Sequence, residues 1–407
     1  MSFRIALSGL NAARSDLSTT AHNVANVNTT GFKSSRAEFA DVYGVTARGV
    51  GANLIGSGVR LSNVEQQFSQ GSIEFTDNGL DLAVNGEGFF TLSDGGGLTY
   101  SRAGAFGTSR EGYVENAQGH RLQVYAPSTG GNFNTGQMTD LQITTSDNPP
   151  TATTSIDADI NLPASASVPS NTTFSTTDPT SYNHTTSLTT YDSLGNARTT
   201  SMYFVKTATA NEWTVHAEIG GQRVTPAAGQ NVTFGTDGAL NPTSQSPLSF
   251  ANAANFAGAN AMQPTLDISG FTQYANNFSV NGLQQNGYST GRLIGVDVDS
   301  EGVVFARFTN GQASALGQLA LTSFQNPQGL QQLGDTTWGE TFDSGGAVNG
   351  APGTSNFGQI QAGALETSNV NLAEQLVNMI ASQRNFQANA QMIQTEDQVT
   401  QTIINIR

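Results

Sequence analysis

The sequence predicts an α+β chain, mainly β, whose N- and C-terminal α-helices pair into a coiled-coil-like inner domain with two β-rich domains inserted between them. Three observations carry this. Apolar residues recur every seven positions near both ends. The long middle alternates apolar and polar residues between turns rich in Gly, Asn and Asp. Charged residues make up 12% of the chain, far below the quarter or so of an average domain, with Ser, Thr, Asn, Gln and Gly in their place. The 407 residues suffice for two or three domains, and 37% hydrophobic residues supply their cores.

The first element is a helix from Phe3. Its apolar positions run Phe3, Ala6, Leu10, Ala13, Leu17, Thr20, Val24 and Val27, in alternating steps of three and four. Phe3, Leu10, Leu17 and Val24 form the heptad stripe, and Ala and Thr at the second position permit close approach of a partner. The last element mirrors it, with Leu372, Met379, Phe386 and Ile393 seven apart, Leu376 and Ala390 between them, and a slip to Val399, Ile403 and Ile406 as the helix drifts against a strict heptad. Ser368 or Asn369 is the expected N-cap. Isolated helices of this kind are marginal in water, so each stripe needs a partner. An antiparallel pair closing one domain and a coiled coil shared between subunits both satisfy that need.

The middle reads as strands. Leu80–Val84 alternates after the turn Asp77-Asn78-Gly79, Leu188–Val205 is a hairpin turning at Asp192–Asn196, and Trp213–Ile219 alternates again. Leu293–Val298 and Val303–Phe308 form another hairpin through Asp299–Gly302. Residues 128–186, rich in Ser, Thr, Asn and Pro, read as loops and short edge strands at a domain junction, and a second junction is expected near 276–287. The expected division is 1–70 with 366–407 as the terminal helical domain, 71–147 with 279–365 as a middle domain, and 148–278 as an inserted outer domain.

Composition narrows the function classes. A net charge of −15 with no basic run disfavours nucleic acid and anionic membrane surfaces. There are no cysteines, hence no disulfides or thiolate metal sites. The N-terminus lacks the apolar core of a secretory signal, and no run of roughly 18 apolar residues marks a membrane span.

Motifs that look chemical fail on context. Gly287-Tyr288-Ser289-Thr290-Gly291 fits the hydrolase nucleophile pattern, but that elbow needs a following helix and Arg292–Val296 is strand-like. Asp297–Gly302 resembles the start of a calcium loop, yet the twelfth position, where a bidentate Glu belongs, is Phe308. Gly86-Glu87-Gly88 has no helix after it to hold a phosphate. His22, His120, His184 and His216 lack metal-ligand spacing. No catalytic residue, cofactor or metal site is assigned; a hydrolase built on Ser289 is the alternative of a different class.

The segment Ala25-Asn26-Val27-Asn28-Thr29-Thr30-Gly31-Phe32-Lys33 resembles the N-terminal signature of the flagellar rod and hook proteins, carried by Ala25, Asn26, Thr29, Gly31, Phe32 and Lys33. Val84–Phe90, Tyr100–Phe106 and the run from Gly363 to Asn389 are similar to further blocks of that family, in order, over roughly the first and last thirds of the chain. The long insert and its turn at Tyr191–Gly195 resemble the hook branch, with the distal rod branch as the alternative. The resemblance implies a hollow helical homopolymer with the terminal helices as its inner tube, a curved universal joint of the motility apparatus. The self-assembly residues would then be Phe3, Leu10, Leu17, Val24, Leu372, Leu376, Met379, Phe386, Ile393 and Ile403. It also implies extracellular placement without a cleaved signal peptide. The implied partners are the distal rod protein, the hook cap, the hook–filament junction protein and the flagellar type III export apparatus, whose recognition motif Phe39 and Tyr43 fit.

Overall fold

The computed structural model describes residues 2–43, 56–128, 131–144, 146–242, 244, 246–354 and 356–405; Ile406, expected at the end of the C-terminal stripe, lies outside them. The chain forms two compact units. One comprises 1–144, 295–307 and 313–407, the other 145–294 and 308–312. The chain returns to the first unit at 294/295 and, after a brief excursion over 308–312, again at 312/313; the expected return lay at 278/279.

The first unit opens with α1 (Ser2–Ala25) and closes with α2 (Leu372–Asn405). Asn371 caps α2, its Oδ1 accepting from the backbone N–H of Ala373 (3.1 Å) and Glu374 (3.3 Å). The expected caps serve elsewhere. Ser368 is buried, and Asn369 is drawn into bonds with Ser34 N, Gln67 O and Ser69 O, so neither is free to cap. After α1 comes a ribbon, β1 (Ser35–Asp41) paired antiparallel with β2 (Val59–Gln66), the register shifting between Glu38 and Phe39. A lone ribbon is marginal in water. This one rests on α1, where Val59 N donates to Ser8 Oγ (3.1 Å) and Asn23 exchanges two 2.8 Å bonds with the backbone of Ser35.

The unit's large sheet runs in the order Leu293–Val298, Val303–Phe308, Ala313–Leu319, Arg121–Pro127, Phe89–Ser93, Leu98–Ser101, Thr337–Gly339, Gln331–Gly334. The hairpin expected at 293–308 appears with those bounds. Its turn is closed by Asp299, whose Oδ1 accepts from Glu301 N (3.0 Å) and Val303 N (2.8 Å), so this calcium-like sequence serves as a hairpin turn. Phe89, Tyr100, Phe324 and Trp338 form an aromatic core with centroids 4.7–6.1 Å apart, mostly edge to face. Two short pairs, Leu82–Asn85 with Gln359–Ala362 and Ile73–Phe75 with Ala364–Glu366, tie the outgoing chain to the chain returning to α2.

The second unit packs a five-stranded sheet, built on His184–Tyr191, Ala197–Lys206 and Glu212–Ile219, with a four-stranded one containing Ser155–Asn161 and Ser279–Gln285. Phe204, Trp213, Ile156, Ile160, Phe250 and Leu266 fill its core and are fully buried, each contributing roughly 1.5–3 kcal/mol. The hairpin predicted at 188–205 is present, extended to 184–206. Asp192 closes its turn by accepting from Leu194 N (3.0 Å), Asn196 N (2.9 Å) and the Arg198 guanidinium (3.1 Å). Burial works to raise the Asp192 carboxyl, but these donors win and hold it below the usual range. Strand Ser155–Asn161, expected at most as a short edge strand among loops, lies between two partner strands. Its Ile156, Ala158 and Ile160 alternate into the core despite the polar residues around them.

Candidate interface on the terminal helices

The two helices pack antiparallel. Asn23 Nδ2 donates to Gln375 Oε1 (3.1 Å), Ser382 bonds Asp16, and Gly9 sits so close to Asn389 that a Cβ there would lie 2.4 Å from its Oδ1. Each step of seven along α1 is matched by a step of seven back along α2. A heptad seam therefore exists, but its centre differs from the expected stripe. On α1 the fully buried residues are Ala6, Ala13, Thr20 and Asn23, whereas Leu10, Leu17 and Val24 are half-buried and Phe3 is 44% exposed. On α2 the seam takes Gln375, Met379, Ser382, Phe386, Asn389 and Ile393, while Leu372, Leu376 and Ile403 stay exposed. Small residues at the α1 positions let the backbones approach, and the polar pairs fix register at a cost in stability. The larger residues are thereby displaced to the flanks.

The flanks can be assigned from the seam. On α1 the residue following Gly9, Asp16 and Asn23 is Leu10, Leu17 and Val24. On α2 the residue following Gln375 is Leu376, and the one following Met379 is Ile380. In an antiparallel pair these positions lie on one side of both helices, giving a single apolar face that Phe3 and Leu7 extend. The opposite side carries β1–β2 against α1, since Ser8 and Asn23 make the contacts to the ribbon.

The family-type signature builds a buried joint at the end of α1. Asn26 Nδ2 bonds His22 O (2.9 Å), Thr29 Oγ1 donates to Asn26 Oδ1 (3.1 Å), and Ala25 is the exposed last residue of the helix. Gly31 turns the chain at φ 69°, with Ala103 N only 2.4 Å from where a Cβ would stand. Phe32 is buried edge-on to His22, centroids 5.5 Å apart. Lys33 is fully buried. Its Nζ donates to Glu366 Oε1 (2.6 Å) and Ser69 O (2.8 Å), and Arg102 Nη1 reaches Glu366 Oε2 at 3.3 Å from beside the Phe89 ring. Gly71 N also donates to Glu366 Oε1 (2.9 Å). Burial pulls both cations below their ordinary pKa values, and Glu366 opposes that in each case. Lys33, Arg102 and Glu366 stand in three separate family-like blocks of the sequence, and no spacing pairs them. Only the fold brings them together.

Phe39 and Tyr43 are exposed by 40% and 52%, Phe39 on β1 and Tyr43 just beyond it. Ser289 follows the strand Ser279–Gln285. The next element is the strand Leu293–Val298, so the helix a nucleophile elbow needs does not follow it. Among the described residues no group of three or more His, Cys, Asp or Glu is placed to hold a metal ion, and no helix is long and apolar enough to cross a membrane.

Terminal helices whose seam sets small and polar residues of α1 against Met379, Phe386, Ile393 and polar residues of α2, leaving other large apolar residues outward, with closed β cores between them, are the build of a structural assembly subunit. Comparison with known proteins agrees. Family models match at 3–33 (Flagella basal body rod protein), 83–176 (Flagellar hook protein FlgE/F/G D1 domain), 161–288 (Flagellar basal body protein FlaE D2 domain) and 361–406 (Flagellar basal body rod FlgEFG protein C-terminal). The chain is 38% identical to the flagellar hook protein FlgE of Salmonella typhimurium and of Escherichia coli K12, covering 100% of both chains in each case. It is 32% identical to that of Borreliella burgdorferi over 98% of each. The crystal structure of Helicobacter pylori flagellar hook protein FlgE2 superposes with a TM-score of 0.55 at 14% identity, covering 72% of this chain and 100% of that one, which supports the fold. The chain belongs to the flagellar hook protein family.

Proposed function

We propose that the protein polymerises through its terminal helices into the curved hollow tube of the flagellar hook, a flexible coupling that passes motor torque to the filament. The observation that carries this is the outward apolar face of the helix pair. Leu376, Val377, Ile380, Phe3 and Leu7 are 41–65% exposed on helices whose own seam is already filled. Covering such a face gains about 25 cal/mol per Å² removed from water, and neighbouring copies are the natural cover in a homopolymer. Repetition of unlike patches without closure yields an open helical polymer.

Phe3, Leu10, Leu17, Val24, Leu372, Leu376 and Ile403 would make contacts between subunits, with Met379, Phe386 and Ile393 holding the pair within each. The signature residues Ala25 to Lys33 would brace the joint to the β sheet. The division into terminal, middle and outer domains belongs to the same reading, and the second compact unit, 145–294 with 308–312, supports an outer part that extends past 278. Its partners would be other copies, the distal rod protein, the hook cap, the hook–filament junction protein and the type III export apparatus. The last would deliver it outside the cell uncleaved, reading Phe39 and Tyr43 before folding.

The test is Leu17→Asp, viewed by electron microscopy of concentrated protein beside the parent. Tubes should form from the parent only, while the far-ultraviolet signal of the β units is kept. Tubes formed by the variant would remove Leu17 from the assembly surface.

A further inference from the structure

The helix pair has two unlike faces, and the inference drawn from them rests on the polymer reading above. On α2, Leu376 and Ile380 directly follow seam residues, whereas Met392 directly precedes the seam residue Ile393, with Val399 one heptad further on. Positions after and before the seam lie on opposite sides of a helix turning 3.6 residues per turn. Between Leu376 and Val399 the large exposed apolar side chains therefore change sides, before Ile404, four heptads on from Leu376, returns to the first side. The first turns carry Leu376 (45% exposed) and Ile380 (51%) on one face; farther on, Met392 (51%) and Val399 (50%) lie on the other.

The second face is itself divided. Beside the β1–β2 ribbon it holds a polar cleft of about 440 Å³, lined by residues such as Thr19, Arg36, Asn378 and Asn385. Farther along α2 it opens into a groove of about 460 Å³ lined by Ala6, Ala388, Gln391, Met392, Thr395 and Glu396. Ala6, 2% exposed, lines it from α1; Ala388 and Met392 lie on α2, and Glu396 is the one charged side chain in the lining.

We infer that the Leu376–Ile380 ridge of one copy seats in the Ala6–Ala388–Met392 groove of a second copy, so that each subunit is joined to its neighbours by two different patches of α2. A ridge and a groove on opposite faces, displaced along the helix, cannot satisfy each other within one chain or in a closed symmetric dimer. The contact is head-to-tail and propagates. The ridge carries no charge, and branched aliphatic side chains suit a groove whose floor is alanine. The polar cleft on the same face offers such side chains no cover.

The cysteine-free chain allows a direct test. Ile380→Cys with Met392→Cys places two thiols about 18 Å apart on one helix. That is beyond the roughly 7 Å between Cα atoms that a disulfide spans, so only different copies can be bridged. Oxidation of assembled tubes should give a ladder of covalent multimers, and dilute monomer should give none. Asn378→Cys with Met392→Cys, whose first thiol lies on the polar-cleft side opposite the ridge, should give none in tubes either. Tubes without a ladder from the first pair, or equal ladders from both, overturn the ridge-in-groove contact while leaving the polymer reading intact. Failure of the unmodified chain to form tubes overturns both. If only the double variant fails to assemble, hydroxyl-radical footprinting of unmodified tubes decides. Labelling of Leu376, Ile380 and Met392 should fall at least fivefold relative to monomer, and an unchanged Met392 refutes the contact.

Discussion

Replacing Glu366 by Leu should unfold the joint between the helices and the β sheet of the first unit. The carboxylate accepts from Lys33 Nζ at 2.6 Å, Gly71 N at 2.9 Å and Arg102 Nη1 at 3.3 Å, with all three charged side chains at most 6% exposed. Removal leaves two cations in a dry site with no counter-charge. Breaking a buried pair this way costs about 3–5 kcal/mol, a large share of a typical 5–15 kcal/mol stability. The two tryptophans lie one in each unit, so Trp213→Phe makes Trp338 the sole fluorescent reporter of the first unit. At roughly 1–3 kcal/mol per molar urea, the midpoint should fall by about 1 M or more. The companion variant Lys33→Met, Arg102→Met, Glu366→Leu removes every charge and should return most of the loss, since apolar replacement of a whole buried ion group is often neutral. A Glu366→Leu loss below about 1 kcal/mol, or a triple variant no better than the single, would refute the view that uncompensated charge is what the carboxylate prevents.

Three further outcomes follow from the geometry. Gly31→Ala should cost at least about 2 kcal/mol by urea melting, from the left-handed φ and the collision with Ala103 N; a neutral result would show that the turn relaxes. Asn371→Ala should cost about 1 kcal/mol and fray the first turn of α2, read as lost amide protection at Ala373 and Glu374, with unchanged exchange counting against the cap. His216 is pushed down to about 4 by burial and by the nearby Arg223, stacked 3.9 Å from the Phe174 ring. Its folded pKa lies below the unfolded one, so the unfolded state binds more protons between the two. The second unit should keep full stability above pH 6.5 and lose up to ~3 kcal/mol toward pH 4. Trp213 fluorescence in a Trp338→Phe background should report this, and His216→Phe should flatten the slope.

What the sequence determined by itself was whatever depends on local periodicity and local turn chemistry. The heptad spacing gave both helices. The alternation around Asp192–Asn196 and Asp299–Gly302 gave two hairpins, because a short loop and a period of two leave few alternatives. Strand Ser155–Asn161, read at most as a short edge strand, shows the limit. Its Asp157 and Asp159 look like loop chemistry until the partner strands at Thr265–Asp267 and Ser279–Gln285 give its other face a core. Tertiary structure decided how each seam is centred, although Ala6, Ala13, Thr20, Met379, Phe386 and Ile393 all stand in the stripes read from the sequence. A heptad marks two neighbouring positions, and the sequence favoured the larger residues, Leu10, Leu17 and Leu376, as the seam. The fold chose Ala6, Ala13, Asn23 and Ser382, because small residues allow the closest backbone approach and polar pairs set the register. That choice turned the leucines outward. It also took three distant crossings of the chain to place Lys33, Arg102 and Glu366 in one buried site, a juxtaposition that no local pattern encodes.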